Sequence, residues 1–378
     1  MCSDKVAKIL VVAGGTYVSG AEKITLSVLE GFKKSGYNIH CMVSGWNNGD
    51  FINRIEKIGL PYTVIKLGWY YTTKIWWSLD SFIHYPKAIF SFLKLKKEFK
   101  ADLVYTISYR QIVLLYPFFK NNIVYHIHDP NSNSKQSKFF LKLIDKKVQK
   151  YIAVSKFIKQ DLINCGISPN KIEIVYNGIE ILPLPNKVNT VSSLFKIGIV
   201  GQVIQRKGHL IAIDALKMLV EQNLNVQLVI VGVGDKNFEK EVKEKIEKLE
   251  LQNKVIWKGF VKDTYKIYED LDVVIAPTLN EEPFGLMACE ANMLSIPAIV
   301  SNKGGLPEIV ENGFNGYTFN AENADELASK MLLLYNDRAK AVQFGLNGRE
   351  KVSHLFSIEQ MNSSIAALMN DVYKKNTF

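Results

Sequence analysis

The sequence predicts an α/β fold made of two domains, each with a parallel sheet. Short apolar, β-rich runs alternate with helical patterns along the whole chain, which is typical of parallel strands with helices on both faces. The 378 residues are about two domains long. A polar connector from Leu184 to Ser193 separates one series of strands from a second, so we expect the domain boundary there.

The first predicted strand, Lys8–Ala13, ends at Gly14-Gly15 and is followed by a helical pattern after Ser19. A glycine loop before a helix lets a ligand approach the backbone, and the helix start favours anions, although a simple tight turn accounts for it equally well. The other strands predicted in this half are Asn38–Val43, Thr63–Leu67, Leu103–Ile107, Ile123–His128, Tyr151–Ser155 and Ile172–Tyr176.

The second half repeats the alternation. Its predicted strands are Lys196–Val200, Leu228–Gly232, Val255–Phe260, Asp272–Ala276 and Ile296–Ser301, and a final helix is predicted over Ile358–Tyr373. We therefore predict an N-terminal domain over residues 1–185, which the C-terminal helix from about 357 to 378 rejoins, and a second domain over 186–356.

Ligands of such sheets bind beyond the carboxyl ends of the strands, so residues that close a strand are candidates. His128-Asp129 closes one strand, and alternation places His126 and His128 on the same face. His128 is either a proton donor, a hydrogen-bond contact to a sugar, or a local cap.

Arg206-Lys207, after the first strand of the second half, suits a diphosphate, since Arg offers a bidentate hydrogen-bonding fork and Lys a point charge.

The richest stretch runs from Pro277 to Glu290, where Glu282 and Glu290 are eight positions apart. A helix predicted to start between Phe284 and Met287 would offer unpaired N–H groups to a phosphate. Glu290 would lie about 6 to 7 Å further along the axis, the scale of a diphosphate-to-ribose offset, and a carboxylate can accept from both ribose hydroxyls. Glu282 would face the sugar end.

The formal charge of +10 is compatible with nucleic acid, an anionic membrane or phosphorylated substrates. The basic residues are dispersed and form no recognised nucleic-acid module, so we expect no nucleic-acid partner. Aromatic and basic residues interleave over Gly68–Phe99, and lysines recur along one helix face over Lys135–Lys146. Both stretches suit an interfacial surface, or else are core aromatics with a solvated lysine face.

The four cysteines are scattered without metal spacing, which favours reduced thiols in a cytoplasmic protein. No apolar run is long enough to cross a bilayer.

Asp270-Leu271-Asp272 has the D-x-D pattern of metal-dependent, single-domain glycosyltransferases. It opens a predicted buried strand and conflicts with the two-domain pattern, so we predict no metal site.

The ordered motifs resemble the retaining glycosyltransferases of the GT-B fold, glycosyltransferase family 4, in which two Rossmann-like domains face each other across a cleft. Glu282 to Glu290 matches the E-x7-E pattern of that family. The other matching segments are Gly14-Gly15 with Ser19–Glu22, His128-Asp129, Val154–Lys156, Tyr176–Ile179, Arg206–Gly208 and Gly304–Glu308.

The resemblance implies a transferase that moves a sugar from a UDP- or GDP-linked donor to a glycan or lipid-linked acceptor, without metal or cofactor. It implies catalytic roles for His128, Lys207 and Glu282. The donor-binding residues that it implies are Gly15, Arg206, Phe260, Val261, Phe284, Gly285, Leu286 and Glu290. The family usually has Arg directly after the strand glycine, where this chain has Gln202, so Arg206 is expected to supply that cation.

We predict a role in bacterial surface polysaccharide or glycolipid synthesis, in the cytoplasm or peripherally on an anionic membrane. A nucleotide-sugar epimerase of the same architecture is the alternative, because it would act on the donor with no acceptor.

Overall fold

The computed structural model describes residues 6–67, 75–184 and 193–377. By its internal contacts the chain divides into two compact units. Unit 1 comprises Met1–Gly178 and Ile358–Phe378, and unit 2 comprises Ile179–Ser357. The boundary predicted after residue 185 therefore lies within unit 2 as the contacts divide the chain, and most of the predicted connector lies outside the described residues.

Unit 1 contains a seven-stranded parallel sheet with the strand order β3-β2-β1-β4-β5-β6-β7. The strands are β1 Lys8–Ala13, β2 Asn38–Ser44, β3 Tyr62–Ile65, β4 Leu103–Thr106, β5 Ile123–Ile127, β6 Val148–Ala153 and β7 Ile172–Ile174. The helices are α1 Gly20–Lys34, α2 Asp50–Ile58, α3 Ile75–Phe99, α4 Tyr109–Leu114, α5 Lys135–Ile144 and α6 Lys156–Asn164, and the C-terminal helix α14 Ile358–Thr377.

Unit 2 contains a six-stranded parallel sheet with the order β10-β9-β8-β11-β12-β13. The strands are β8 Phe195–Val200, β9 Val226–Val231, β10 Val255–Gly259, β11 Val273–Ala276, β12 Ala298–Ser301 and β13 Gly316–Phe319. The helices are α7 His209–Glu221, α8 Lys236–Lys248, α9 Thr264–Tyr268, α10 Leu286–Met293, α11 Leu306–Ile309, α12 Ala324–Asn336 and α13 Arg338–Leu355. Two such sheets confirm the predicted pair of Rossmann-like, parallel-sheet domains.

Apart from edge strands such as β3 and β10, both sheets are formed by runs that are mostly buried, such as Ile9–Ala13 in β1 and Val273–Ala276 in β11. Burial on both faces requires continuous apolar runs rather than alternation, which is why these strands are legible in the sequence. In each sheet the chain order reverses beside the first strand. The reversal falls between β1 and β4 in unit 1 and between β8 and β11 in unit 2.

The long helix α3 is where the sequence left two interpretations open. Trp76, Phe82 and Phe90 are surface residues, with 82%, 64% and 72% of their area exposed. The interpretation as ordinary core aromatics is therefore wrong for these three. The part of the aromatic stretch before Ile75 lies outside the described residues. In α5, Phe139 is likewise 64% exposed.

Helix α14 packs against α1 within unit 1. Asn362 Nδ2 donates to Ser27 O at 3.1 Å, and Tyr37 Oη donates to Asn370 Oδ1 at 2.6 Å. A Cβ at Gly31 would lie 2.5 Å from Asn362 Cγ, so the two helices approach closely only because Gly31 has no side chain.

This contact predicts that the effect of Gly31→Ala changes sign with its neighbour. With Asn362 present, overpacking of the new methyl group outweighs the better helix propensity of Ala. The free energy of unfolding should therefore fall by about 1 kcal/mol or more. In an Asn362→Ala background the clash is gone, and Gly31→Ala should stabilise by up to about 1 kcal/mol. Urea denaturation of the four variants measures both steps, and equal effects in both backgrounds would contradict the packing described for α1 and α14.

Candidate active site

The loops that follow β8 and β11 are fixed against each other at the point where the strand order of unit 2 reverses. Gly208 has a φ of 73°, and a Cβ there would lie 1.8 Å from the carbonyl oxygen of Pro277. Leu279 N donates to Arg206 O at 2.9 Å. Because ligands of open α/β sheets bind at such a reversal, these two loops define the candidate site.

The basic loop and the acidic loop meet in an ion pair. Lys207 Nζ lies 2.7 Å from Glu282 Oε2, and Arg206 reaches the same oxygen at 3.5 Å. The side chains of Lys207 and Glu282 are mostly enclosed, with 18% and 16% exposed, whereas Arg206 is 43% exposed. The structure thus brings together three predicted residues. Gln202, where the resemblance expects Arg, is exposed.

A glycine turn holds the acidic loop from the other side. Gly304 has a φ of 60°, and a Cβ there would lie 2.0 Å from Glu282 O. Gly305 N donates to that same carbonyl oxygen at 2.7 Å, and Gly304 N donates to the Glu281 carboxylate. The motif Gly304-Gly305 therefore positions the backbone of Glu282.

Helix α10 begins beside this loop. Gly285 precedes the helix with a φ of 111°, and a Cβ there would lie 2.6 Å from Leu306 Cδ2. Phe284 is 3% exposed and packs edge to face on Phe356. The first-turn amides of a helix lack intrahelical partners and favour anions, so the backbone from Phe284 to Leu286 can accept a phosphate.

Glu290 lies one turn further along α10 and is half-buried. Tyr268 Oη donates to Glu290 Oε2 at 2.7 Å and also lies 3.2 Å from Met287 O. Burial raises the pKa of Tyr268 far above its usual value, and the Glu290 carboxylate raises it further, so the phenol keeps its proton. Tyr268 orients the carboxylate, a role that the sequence analysis missed because the two residues are brought together only by folding.

The two residues expected near the base follow β10. Phe260 is 74% exposed and Val261 is half-buried, directly beyond Gly259. Gly259 O accepts from Gly232 N at 2.8 Å, which ties the ends of β9 and β10. The order β10-β9-β8-β11 therefore places Phe260 and Val261 at the same sheet edge as Lys207 and Glu282.

His209, the first residue of α7, lines a cavity of about 10 Å³ together with Lys207, Glu282 and Gly285. That volume holds about one water molecule. The residue is 1% exposed, and neither ring nitrogen has a hydrogen-bond partner within the described parts of the chain. Burial, helped by Lys207, lowers the pKa of His209 to about 4, so its ring is neutral at pH 7. Its burial could not be read from the sequence.

Two of the predicted site residues, His128 and Gly15, lie in unit 1. His128 follows β5 and its ring centroid lies 4.2 Å from that of His126, on the same face as alternation predicts. Burial lowers the pKa of His128 to about 4, so a neutral imidazole is present at pH 7. A neutral ring favours the hydrogen-bond contact over the proton donor. A Cβ at Gly15 would lie 2.6 Å from the Glu22 carboxylate, which caps α1 through Ser19.

The acids of the D-x-D pattern have structural partners at the opposite edge of the sheet. Asp272 Oδ2 accepts from Lys196 N at 2.7 Å, and Asp270 pairs with Lys196 Nζ at 3.6 Å. Both acids precede β11, whereas Glu282 and Glu290 follow it. The pattern is therefore accounted for by the start of a buried strand.

Comparison with known proteins identifies the family. Residues 18–181 match the model for "Glycosyltransferase Family 4" and residues 184–351 match "Glycosyl transferases group 1". Together the two matches cover most of the chain, which therefore belongs to the group 1 and family 4 glycosyltransferases.

Individual relatives agree with this assignment. CapM of Staphylococcus aureus, a glycosyltransferase of capsular polysaccharide biosynthesis, is 26% identical over 64% of this chain and 68% of its own length. An uncharacterised glycosyltransferase of Methanocaldococcus jannaschii is 33% identical over 47% of this chain and 48% of its own length. Anabaena HepE, solved in complex with UDP and glucose, superimposes with a TM-score of 0.81 at 22% identity, covering 96% of this chain and 99% of HepE. The likeness to HepE shows the GT-B fold.

The close approach of Gly208 to Pro277 gives a prediction with a matched control. Gly208→Ala combines a left-handed φ with a backbone clash, so we expect it to destabilise unit 2 by about 3 kcal/mol or more and to displace Lys207. Gly259→Ala has a similar φ of 66° but no atom within 4 Å of its Cβ, and should cost only about 1 to 2 kcal/mol. Thermal denaturation of both variants tests the difference, and similar losses would refute the proposed contact.

Proposed function

We propose that this protein transfers a sugar, with retention of configuration, from a UDP-linked donor to a glycan or lipid-linked acceptor in bacterial surface polysaccharide or glycolipid synthesis. The observation that carries the proposal is the meeting of Lys207, Arg206 and Glu282 beside the start of α10. The role of CapM in capsular polysaccharide biosynthesis supports the pathway class, and the complexes of HepE with UDP support the donor. A GDP-linked donor is the alternative for the base.

We assign the nucleotide to unit 2. Glu290, oriented by Tyr268, accepts from the ribose hydroxyls, and the exposed Phe260 with the Val261 backbone meets the base. The amides from Phe284 through Gly285 to Leu286 bind the diphosphate, where the helix dipole favours negative charge. Phe284 itself is buried, so its side chain serves packing while its backbone serves binding.

The ion pair between Lys207 and Glu282 positions the cations that stabilise the leaving group. As the bond to the sugar breaks, negative charge accumulates on the leaving diphosphate. Lys207 and the more exposed Arg206 then stabilise that charge, the kind of preorganised effect that often dominates catalysis. Glu282 holds both cations near the donor and turns its remaining acceptor capacity to the sugar hydroxyls. No protein nucleophile, metal or cofactor enters this scheme.

For unit 1 we propose that His128, as a neutral imidazole, offers a hydrogen bond to the donor sugar, and that the absence of a side chain at Gly15 lets the backbone approach the ligand. This assignment differs from a general acid, which would need a pKa closer to neutrality.

The donor site predicts a ligand-dependent rise in thermal stability. UDP at about 100 times its Kd should raise the unfolding temperature by about 5 °C, because the ligand binds only the folded state. Glu290→Ala should abolish the shift, Tyr268→Phe should reduce it, and Glu247→Ala on the exposed face of α8 should leave it unchanged. A full rise in unfolding temperature in Glu290→Ala would disprove the ribose contact. A rise with GDP but not with UDP would show that the donor is GDP-linked. Turnover of the donor without any acceptor would indicate the epimerase instead.

We further propose peripheral contact with an anionic membrane through α3. In the described residues no helix is both long and apolar enough to span a bilayer. At 3.6 residues per turn, the buried positions of α3, Ser81, Ala88, Phe92 and Leu95, lie on one side. The exposed apolar residues on the opposite side are Ile75, Trp76, Leu79, Phe82, Ile83, Phe90 and Leu93, whereas Trp77, 41% exposed, lies on the buried side.

Lysines border this apolar stripe. Lys87, Lys94 and Lys97 are all exposed and fall on the same half of the helix as the stripe. A helix that lies in the interface buries apolar side chains at the acyl boundary and keeps basic residues at the anionic headgroups. This arrangement fits the anionic cytoplasmic leaflet, where a lipid-linked acceptor would be reached.

Vesicle binding tests the assignment to α3. The protein should bind vesicles containing phosphatidylglycerol, and the Trp fluorescence should shift to the blue. Lys87→Gln/Lys94→Gln/Lys97→Gln should weaken binding by about 100-fold, since each lysine near an anionic surface contributes about 1 kcal/mol. The exposed lysines of α8 supply a control with the same change of charge, Lys236→Gln/Lys240→Gln/Lys248→Gln. Equal binding by the wild type and the α3 variant would contradict the proposal.

A further inference from the structure

Unit 1 contains a second cavity of about 400 Å³. Its lining includes none of the residues discussed for the donor site. Leu10 in β1, Val104 in β4 and Asn122 just before β5 form part of its wall, together with the C-terminal half of α3. It therefore opens at the amino ends of the strands. Gly15 and His128 follow the carboxyl ends of β1 and β5, at the opposite edge of the same sheet.

The inner wall of the cavity is apolar. Phe92, Leu95, Val104 and Phe119 are each at most 5% exposed, and the rings of Phe92 and Phe119 lie 5.2 Å apart. A volume of about 400 Å³ falls within the range of small-molecule pockets, which are mostly apolar with a few polar groups that fix orientation. The wall thus suits an alkyl chain or a ring system.

The rim of the cavity is basic. Lys96, Lys100 and Lys120 all line it and are exposed, and none of the three forms an ion pair with a carboxylate in the parts of the chain that the structure describes. Lys96 Nζ donates to the carbonyl oxygen of Phe118 at 2.6 Å, which holds it over the opening. The lining has one acid, Asp102, whose Oδ2 already accepts from Lys8 N at 2.9 Å. Three cations against one engaged carboxylate favour an anionic ligand.

A buried polar atom in the wall also needs a partner. Asn122 is 8% exposed, and its Nδ2 donates to Asp102 O at 2.8 Å. Its Oδ1 is buried and accepts no hydrogen bond from any described residue. Buried polar atoms are nearly always paired, so this oxygen is a polar point in an otherwise apolar wall.

We propose that this cavity binds an amphiphilic anion, a molecule with an apolar chain or ring and a phosphate or carboxylate head. The apolar body lies against Phe92, Leu95 and Phe119, and the head meets Lys96, Lys100 and Lys120, since lysines bind phosphate as point charges. The site is separate from the donor site and does not depend on the function proposed for unit 2. Its ligand comes either from a membrane lipid or from a soluble phosphorylated or carboxylated metabolite.

Calorimetric titration of the full chain with dodecyl phosphate, below its micelle concentration, tests the site. We expect saturable binding of one molecule per chain. Inorganic phosphate and dodecanol, which each carry half of the chemistry, should bind at least about tenfold more weakly. Lys96→Glu/Lys100→Glu/Lys120→Glu should weaken dodecyl phosphate binding by about tenfold or more. Lys236→Glu/Lys240→Glu/Lys248→Glu on α8, an equal change of charge outside the cavity, should leave it unchanged.

The source of the ligand follows from competition. Displacement of dodecyl phosphate by vesicles containing phosphatidic acid would assign a lipid, and displacement only by soluble octyl phosphate would assign a metabolite. Absence of saturable binding, equal binding of inorganic phosphate, or equal weakening by both triple variants would overturn the proposal. The stabilisation by UDP should persist in the cavity variant, so a loss of dodecyl phosphate binding can be distinguished from misfolding and from failure of the donor site.

Discussion

The 2.7 Å ion pair between Lys207 Nζ and Glu282 Oε2 is the contact on which the arrangement of the loops in unit 2 depends. Each partner lies on a loop that follows a different strand, and the pair forms only because β8 and β11 are neighbours at the reversal of strand order. Partly buried charges are costly unless they are paired, so the loops cannot separate without exposing or stranding both groups. Gly208 and Gly304 allow the backbones to approach closely enough for the pair to form.

The same contact organises the chemistry that we propose. A lysine held at a carboxylate is positioned before the donor binds, and little reorganisation is needed when charge develops on the leaving diphosphate. The start of α10 and the Tyr268–Glu290 hydrogen bond add two further fixed points along one line, for phosphate and ribose. Neutral His209 adds polarity without adding charge.

The strands and the loops that carry the candidate site could largely be predicted from the sequence, for physical reasons. Strands buried on both faces are continuous apolar runs, so β1 is predicted to the residue, and the motifs at their carboxyl ends gave Arg206-Lys207 and the Glu282–Glu290 stretch. Contacts between residues distant in sequence were not legible. Tyr268 lies 22 positions before Glu290, and nothing local marks it as the residue that orients that carboxylate. The exposure of Trp76 and Phe90 could not be predicted either, because an aromatic helix has the same sequence pattern whether it lies in a core or on a surface.

A crystal structure of the protein with bound UDP would test the proposed donor site most directly. We predict the β-phosphate at the amides of Gly285 and Leu286 with Lys207 Nζ turned toward it, and a ribose hydroxyl within about 3 Å of a Glu290 carboxylate oxygen. A nucleotide bound instead at the Gly14-Gly15 loop of unit 1, with the Lys207–Glu282 pair and Glu290 uninvolved, would contradict this prediction.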